Sequence, residues 1–144
     1  MKLPLPDSRA LSSASQIEEG GGFFEMHFKP GEQIVVIDDD ASMQLQWELT
    51  FRRKQLAPLS YDSYEDFEWK KAERPPLRSA VIDFHFDNSE LNGFEIISRL
   101  RSQGFSNIYL CTGEYWKPIV QKQAKDMKIS ICPKPLPKIV IVLG

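Results

Sequence analysis

The sequence predicts an α/β fold: a parallel sheet of five strands with helices packed on both faces. Two observations predict it. From Gln33 onward, short apolar runs rich in β-branched residues alternate with segments of helical period, and strands alternating with helices make a parallel sheet covered on both sides. The strand-like runs also end in acidic or polar residues, and in such sheets the working site lies beyond the carboxyl ends of the strands. The chain of 144 residues is the length of one domain and can bury one hydrophobic core.

Residues 1–30 differ from the rest. They hold "PLP", "SRALSSAS", "EEGGG" and a Pro-Gly at 30–31, and read as a linker or extension with one short strand at "FFEMHF" (23–28). The folded domain is placed at 31–144. "QIVVI" (33–37) is a buried strand. In "ASMQLQWELTFRRK" (41–54), Met43, Trp47 and Phe51 share one helical face, and Ser42 is the expected N-cap. "APLSY" (57–61) is a weak strand, and "SYEDFEWKK" (63–71) a short helix with Tyr64 and Phe67 on one face. "SAVIDF" (79–84) is the second strong strand. "SELNGFEIISRLRSQG" (89–104) is a helix with Leu91, Phe94, Ile97 and Leu100 inward and Gly104 as its stop. "NIYLC" (107–111) is a strand. "KPIVQKQAKDM" (117–127) is a helix with Pro118 in its first turn, and "ISIC" (129–132) is the last clear strand. There is no internal repeat and no Gly-rich phosphate loop.

Composition excludes several classes. A net charge of −2 argues against direct nucleic-acid binding, which favours a basic chain. The longest apolar runs, "IVVI" and "IVIVL", fall far short of the ~20 residues of a spanning helix, so no membrane insertion is expected. The N-terminus has prolines where a signal peptide needs a continuous apolar stretch. A cytoplasmic location is the expectation. Cys111 and Cys132 each sit in an apolar strand and read as buried free thiols; no Cys/His spacing supports zinc.

The carboxyl ends of the strands gather a distinctive set. The first ends in Asp38, Asp39 and Asp40, the next strong strand in Asp83, the following one in Thr112, and the last in Lys134. Clustered carboxylates repel unless a cation sits among them, and hard oxygen ligands suit Mg2+. One carboxylate can act as a nucleophile, as in aspartyl-phosphate chemistry. A lysine ammonium can pair with a phosphoryl oxygen. Taken singly, a post-strand Asp more often caps a helix and a lone Thr or Lys is more often loop; the combination is what points to phosphoryl transfer.

At these residues the sequence resembles the receiver (CheY-like) domain of two-component response regulators, from about Gln33 to Leu136. The motifs are the acidic pair of "VVIDDD", the lone Asp of "VIDF", "LNGFEII", the Thr of "YLCTGE" and the Lys-Pro of "ICPKPL". The resemblance implies a flavodoxin-like five-stranded sheet in the order 2-1-3-4-5. It implies Asp83 as phosphoacceptor, and Asp38 and Asp39 as the acidic pair for Mg2+, with Asp39 the more direct ligand. His85 takes the position whose backbone carbonyl completes the metal site. Thr112 matches the switch hydroxyl, Lys134 the phosphate-pairing lysine, and Lys134–Pro135 the usual cis bond. His85 and Glu114 stand where the family tunes phosphorylation rates, and Asp40 is left to favour the start of the first helix. The implied partners are a histidine kinase or phosphotransfer domain and an unknown downstream protein. The protein is then a signalling phosphoacceptor rather than an enzyme in its own right.

The sequence departs from the pattern in places. Ile131 stands where an aromatic switch residue is usual, and the stretch from Asp83 to Gly93 is long. Pro137 and the β-branched "IVIV" oppose a full fifth helix, so the surface that helix provides is altered, truncated or supplied by a partner. Tyr115 and Trp116 form a candidate partner patch. "MKLPLP" is similar to the last strand of a histidine-kinase ATPase domain, which would make the chain the receiver end of a hybrid kinase. Two other readings stand beside this one: a pseudo-receiver that binds without being phosphorylated, and a haloacid-dehalogenase-type phosphatase using Asp38 and Asp40, which leaves Asp83 without a role.

Overall fold

The computed structural model of the chain describes residues 22–70, 77–83 and 92–144. In chain order the elements are β1 (Phe23–Phe28), β2 (Gln33–Ile37), α1 (Ala41–Arg52), β3 (Ala57–Tyr61), α2 (Tyr64–Lys70), β4 (Ser79–Asp83), α3 (Gly93–Ser102), β5 (Asn107–Thr112), α4 (Pro118–Met127), β6 (Ser130–Pro133) and β7 (Lys138–Leu143). The main sheet has five parallel strands in the order β3-β2-β4-β5-β6. This is the expected order, displaced by one because β1 precedes it. β2 lies inside the sheet, between β3 and β4, which its unbroken apolar run suits: both its faces are covered.

Alternation along the strands sends side chains into two layers. Val35, Ile37, Ala80, Ile82, Ile108 and Leu110 face one way. There they meet Tyr64 and Phe67 of α2, Phe94, Ile97 and Leu100 of α3, and Val120 and Ala124 of α4. Ile34, Val36, Val81, Tyr109, Cys111 and Cys132 face the other way, onto Trp47 and Phe51 of α1.

That second layer is completed by a separate ribbon. β1 and β7 pair in parallel, from Phe23 with Lys138 to Phe28 with Leu143. Phe24, Met26 and Phe28 are buried against the layer, and Ile139 and Ile141 pack on it partly buried. The structure thus has a strand where a fifth helix would stand, as Pro137 and the β-branched run require. Strand 23–28 forms as the sequence predicts, and its apolar packing extends the core across the proposed boundary at residue 31. Burial of each such side chain contributes ~1.5–3 kcal/mol.

The connection from β1 to β2 is a Pro-Gly turn. Gly31 has φ 73° and the Glu32 N–H donates to the Lys29 carbonyl at 3.1 Å, the arrangement that favours Pro then Gly at its two central positions. Glu32 anchors the turn to β4, accepting from Ser79 Oγ at 2.6 Å and pairing with Arg78 Nε at 2.9 Å. The outer edge of β1 is also tied: the His27 N–H donates to Tyr109 Oη at 2.8 Å, and Asn107 Nδ2 donates to the His27 carbonyl at 2.7 Å.

Two local expectations change. Asp40, not Ser42, is the N-cap of α1: its carboxylate accepts from the Ser42 and Met43 N–H groups and from Ser42 Oγ. The Ser42 hydroxyl, with these backbone amides, holds the Asp40 carboxyl below its ordinary value. α3 begins at Gly93 behind a capping box, in which Asn92 and Glu95 each bond the other's backbone N–H. Residues 84–91, including Leu91, lie outside the described residues.

Candidate functional site

Four strands deliver the site to one edge of the sheet. The chain leaves β2 at Asp38, whose N–H donates to the Tyr61 carbonyl at 3.0 Å and so stays in line with the neighbouring strand. Asp83 ends β4. Thr112 ends β5 and pairs in register with Pro133 of β6, next to Lys134. Asp38, Asp83 and Thr112 are buried.

Asp83 and Lys134 form an ion pair through Asp83 Oδ1, with the aspartate side chain 1% exposed and the lysine 18%. The other oxygen, Asp83 Oδ2, is buried without a hydrogen-bond partner, and so is Asp38 Oδ2. Asp38 Oδ1 accepts from the Asp40 N–H at 2.9 Å. Burial pushes the Asp38 carboxyl up to about 8; the Asp40 amide opposes this and the charge of Asp83 adds to it. Burial also works against the Lys134 ammonium, but the hydrogen bond and charge of Asp83 outweigh it, so its pKa is raised.

The remaining predicted residues are placed as follows. Asp39 lies on the exposed side of the turn that carries Asp38. Asp40 is committed to capping α1. The Thr112 hydroxyl accepts from the Glu114 N–H at 3.1 Å, Glu114 pairs with Lys117, and a Cβ built on Gly113 would lie 4.0 Å from Lys134 Cβ. Ile131 is half-buried against the first apolar layer, and the Lys134–Pro135 bond is cis. His85 lies outside the described residues. Cys111 and Cys132 are buried free thiols paired in register beneath the site. Burial, with Cys132 adjacent, pushes the Cys111 thiol well up, which leaves it a packing group rather than a nucleophile.

The structure also shows a residue that the motifs do not point to. Gln44 Nε2 donates to the Asp38 carbonyl at 2.6 Å and to Asp62 Oδ1 at 2.9 Å. It therefore fastens the acidic turn to the end of β3. Asp62 follows a strand end, so the rule that located the other acids also reaches it.

The donor set suits a hard divalent cation. Two buried carboxylates, each with an unpartnered oxygen, face repulsion and desolvation that a cation relieves. Among the described residues no group of three or more His, Cys, Asp and Glu side chains is arranged to hold a metal. Mg2+ commonly takes only one or two carboxylates, with water and phosphate oxygens filling its remaining positions.

Comparison with solved structures places this geometry in a fold. The chain matches the chemotaxis protein CheY4 of Vibrio cholerae with a TM-score of 0.58 at 20% identity, over 73% of this chain and 88% of that one. It matches a response regulator receiver protein from Pseudomonas putida with a TM-score of 0.61 at 15% identity, over 73% of this chain and 87% of that one.

The fold is that of a response regulator receiver domain.

A protein described as adenylate cyclase from Rhodopirellula baltica has the same likeness, with a TM-score of 0.61 at 16% identity over 74% of this chain and 78% of that one. No protein-family model and no curated protein matches the sequence. Within the receiver fold, the edge holding Asp38, Asp83, Thr112 and Lys134 is the carboxyl edge of the sheet, where open α/β sheets place their ligands. Among the described residues no helix is long and apolar enough to cross a membrane.

Proposed function

We propose that the chain is a phosphoacceptor of a two-component phosphorelay, taking a phosphoryl group on Asp83 from the phosphohistidine of a histidine kinase or phosphotransfer domain. The observation that carries this reading is the state of Asp83: a buried strand-end carboxylate with one oxygen paired to Lys134 and the other unpartnered. In the transfer, an Asp83 oxygen forms a bond to phosphorus as the bond from phosphorus to the donor imidazole nitrogen breaks, and that nitrogen takes up a proton. Asp38 and Asp83 would hold Mg2+, with Asp39 and the His85 carbonyl as the other ligands the resemblance implies. Bound there, the cation screens the charge of the phosphoryl oxygens. Lys134 would pair with a phosphoryl oxygen once Asp83 carries the acyl phosphate. The Thr112 hydroxyl would turn from the Glu114 N–H toward the new oxygens, and the β5–α4 loop would follow, a local change of charge with a wider readout.

Two observations favour this reading over a phosphatase built on Asp38. Lys134 pairs with Asp83 rather than Asp38, and Asp40, the second acid that mechanism needs, is occupied in capping α1. The test is intact-mass spectrometry after incubation with acetyl phosphate and Mg2+. One phosphoryl group should add to the wild type and none to Asp83→Asn, and a chelator should abolish the gain. An adduct that survives Asp83→Asn, or turnover of a generic phosphate ester that Asp38→Asn removes, would overturn the reading. The kinase, the downstream protein and a cytoplasmic location are parts of the same proposal.

A further inference from the structure

The ribbon that takes the place of a fifth helix has an unusual outer edge. Just beyond β7 the Gly144 N–H donates to the Phe28 carbonyl at 3.1 Å. With the register from Phe23–Lys138 to Phe28–Leu143, the even-numbered residues of β7 turn their backbone groups toward β1. Ile139, Ile141 and Leu143 turn theirs outward, where no other strand among the described residues pairs with them. A row of free N–H and C=O groups is a template for pairing with another chain.

The other sheet edges are tied at one residue, interrupted by proline or short. β1 has its outward His27 groups bonded to Tyr109 and Asn107. β3 turns the Tyr61 carbonyl inward to Asp38, which puts Pro58 on its outer side, where it offers no donor. β6 is only four residues long and ends in Pro133. β7, "KIVIVL", has no proline, no bulge and one charge, at its start. Beyond Lys138 at its start, none of the devices that blunt an edge is present in it.

We propose that β7 is a self-pairing edge, joining two copies of the chain by antiparallel pairing about a twofold axis at Ile141. The sequence complements itself in that register. Ile141 faces the partner's Ile141, exchanging both backbone bonds. Ile139 faces the partner's Leu143, and Val140 faces the partner's Val142. Lys138 falls opposite the partner's Gly144, so no like charges oppose. The product is a four-stranded sheet, β1-β7-β7-β1, which gives the ribbon the width that a lone two-stranded sheet lacks. Leu143, 40% exposed in the single chain, is covered in the pair.

The register supplies its own test. Val140 and Val142 stand on the outer face of the ribbon, beside exposed Glu25 and His27, so charged side chains there leave the apolar layer untouched. The full chain is examined by sedimentation equilibrium over a concentration series. Wild type should self-associate to a dimer. V140K/V142K places lysines opposite one another across the axis and should weaken association about tenfold or more. V140K/V142E places opposite charges in the same positions and should restore it. Leu143→Pro, which removes an outward N–H at the strand end, should weaken association by a second route. A wild type that stays monomeric throughout, a V140K/V142K chain that remains a dimer, or a V140K/V142E chain that does not re-associate would each overturn the proposal.

Discussion

Asp38 shows at the scale of a single residue what the triple aspartate costs the fold. Its carboxyl is raised from an ordinary 3.8 to about 8, first by burial. The folded chain therefore keeps a proton there across a range in which the unfolded chain has lost it. By linkage, the stabilisation is complete below pH 3.8 and lost as pH rises through about 8. In the presence of a chelator, the Tm of wild type should fall relative to Asp38→Asn between those values, since the amide has no charge to desolvate. Mg2+ should raise the wild-type Tm and leave Asp38→Asn less affected, because a ligand of the folded state stabilises it by mass action. A Tm difference that is flat with pH in chelator would contradict this account of Asp38. At the same scale, Asp38, Asp83, Thr112 and Lys134 were legible as a group because each closes a strand. The capping role of Asp40 was only half legible. Its charge near a helix start was visible, but whether Asp40 or Ser42 caps depends on where the chain leaves the extended conformation, and neighbouring cap-forming residues do not fix that point. Gln44 was not legible, since its two acceptors come from different strand ends and meet only in the folded sheet.

Among the elements, the β1–β7 ribbon departs most from the expected architecture. Both segments show strand character in the sequence: "FFEMHF" buries every second residue and "IVIV" is β-branched. Their pairing could not be read, because register between segments at opposite ends of a chain leaves no local signature. Once paired, β1 becomes part of the core. Met26 is fully buried, so Met26→Ala should cost ~2–5 kcal/mol of unfolding free energy, measured by denaturant unfolding. A cost near zero would mean that β1 rests on the sheet without holding it. Tyr109→Phe removes the acceptor of the His27 N–H and should cost ~1–3 kcal/mol if that amide goes unsatisfied. The measured loss should be smaller than for Met26→Ala, since Phe keeps the ring contacts with Phe24 and Phe28.

For the whole molecule, two layers divide the work. α2, α3 and α4 cover the face bearing Val35 and Ile82, while α1 and the ribbon cover the face bearing Ile34 and Cys132. The site lies at the carboxyl edge of the sheet between these layers, so both must be in place to hold it. A chain beginning at residue 31 lacks β1 and uncovers Ile34, Val36 and Tyr109. It should bind a dye specific for exposed apolar surface and melt less cooperatively than the full chain. Unchanged melting would show that residues 31–144 fold alone. The central claim concerns Asp83, and chemical trapping tests it most directly. An acyl phosphate is reduced by borohydride to an alcohol, turning a phosphorylated aspartate into homoserine. After incubation with acetyl phosphate and Mg2+, peptide mass spectrometry should find homoserine at position 83; homoserine at 38, 39 or 40 instead, or at none of these positions, would contradict the account.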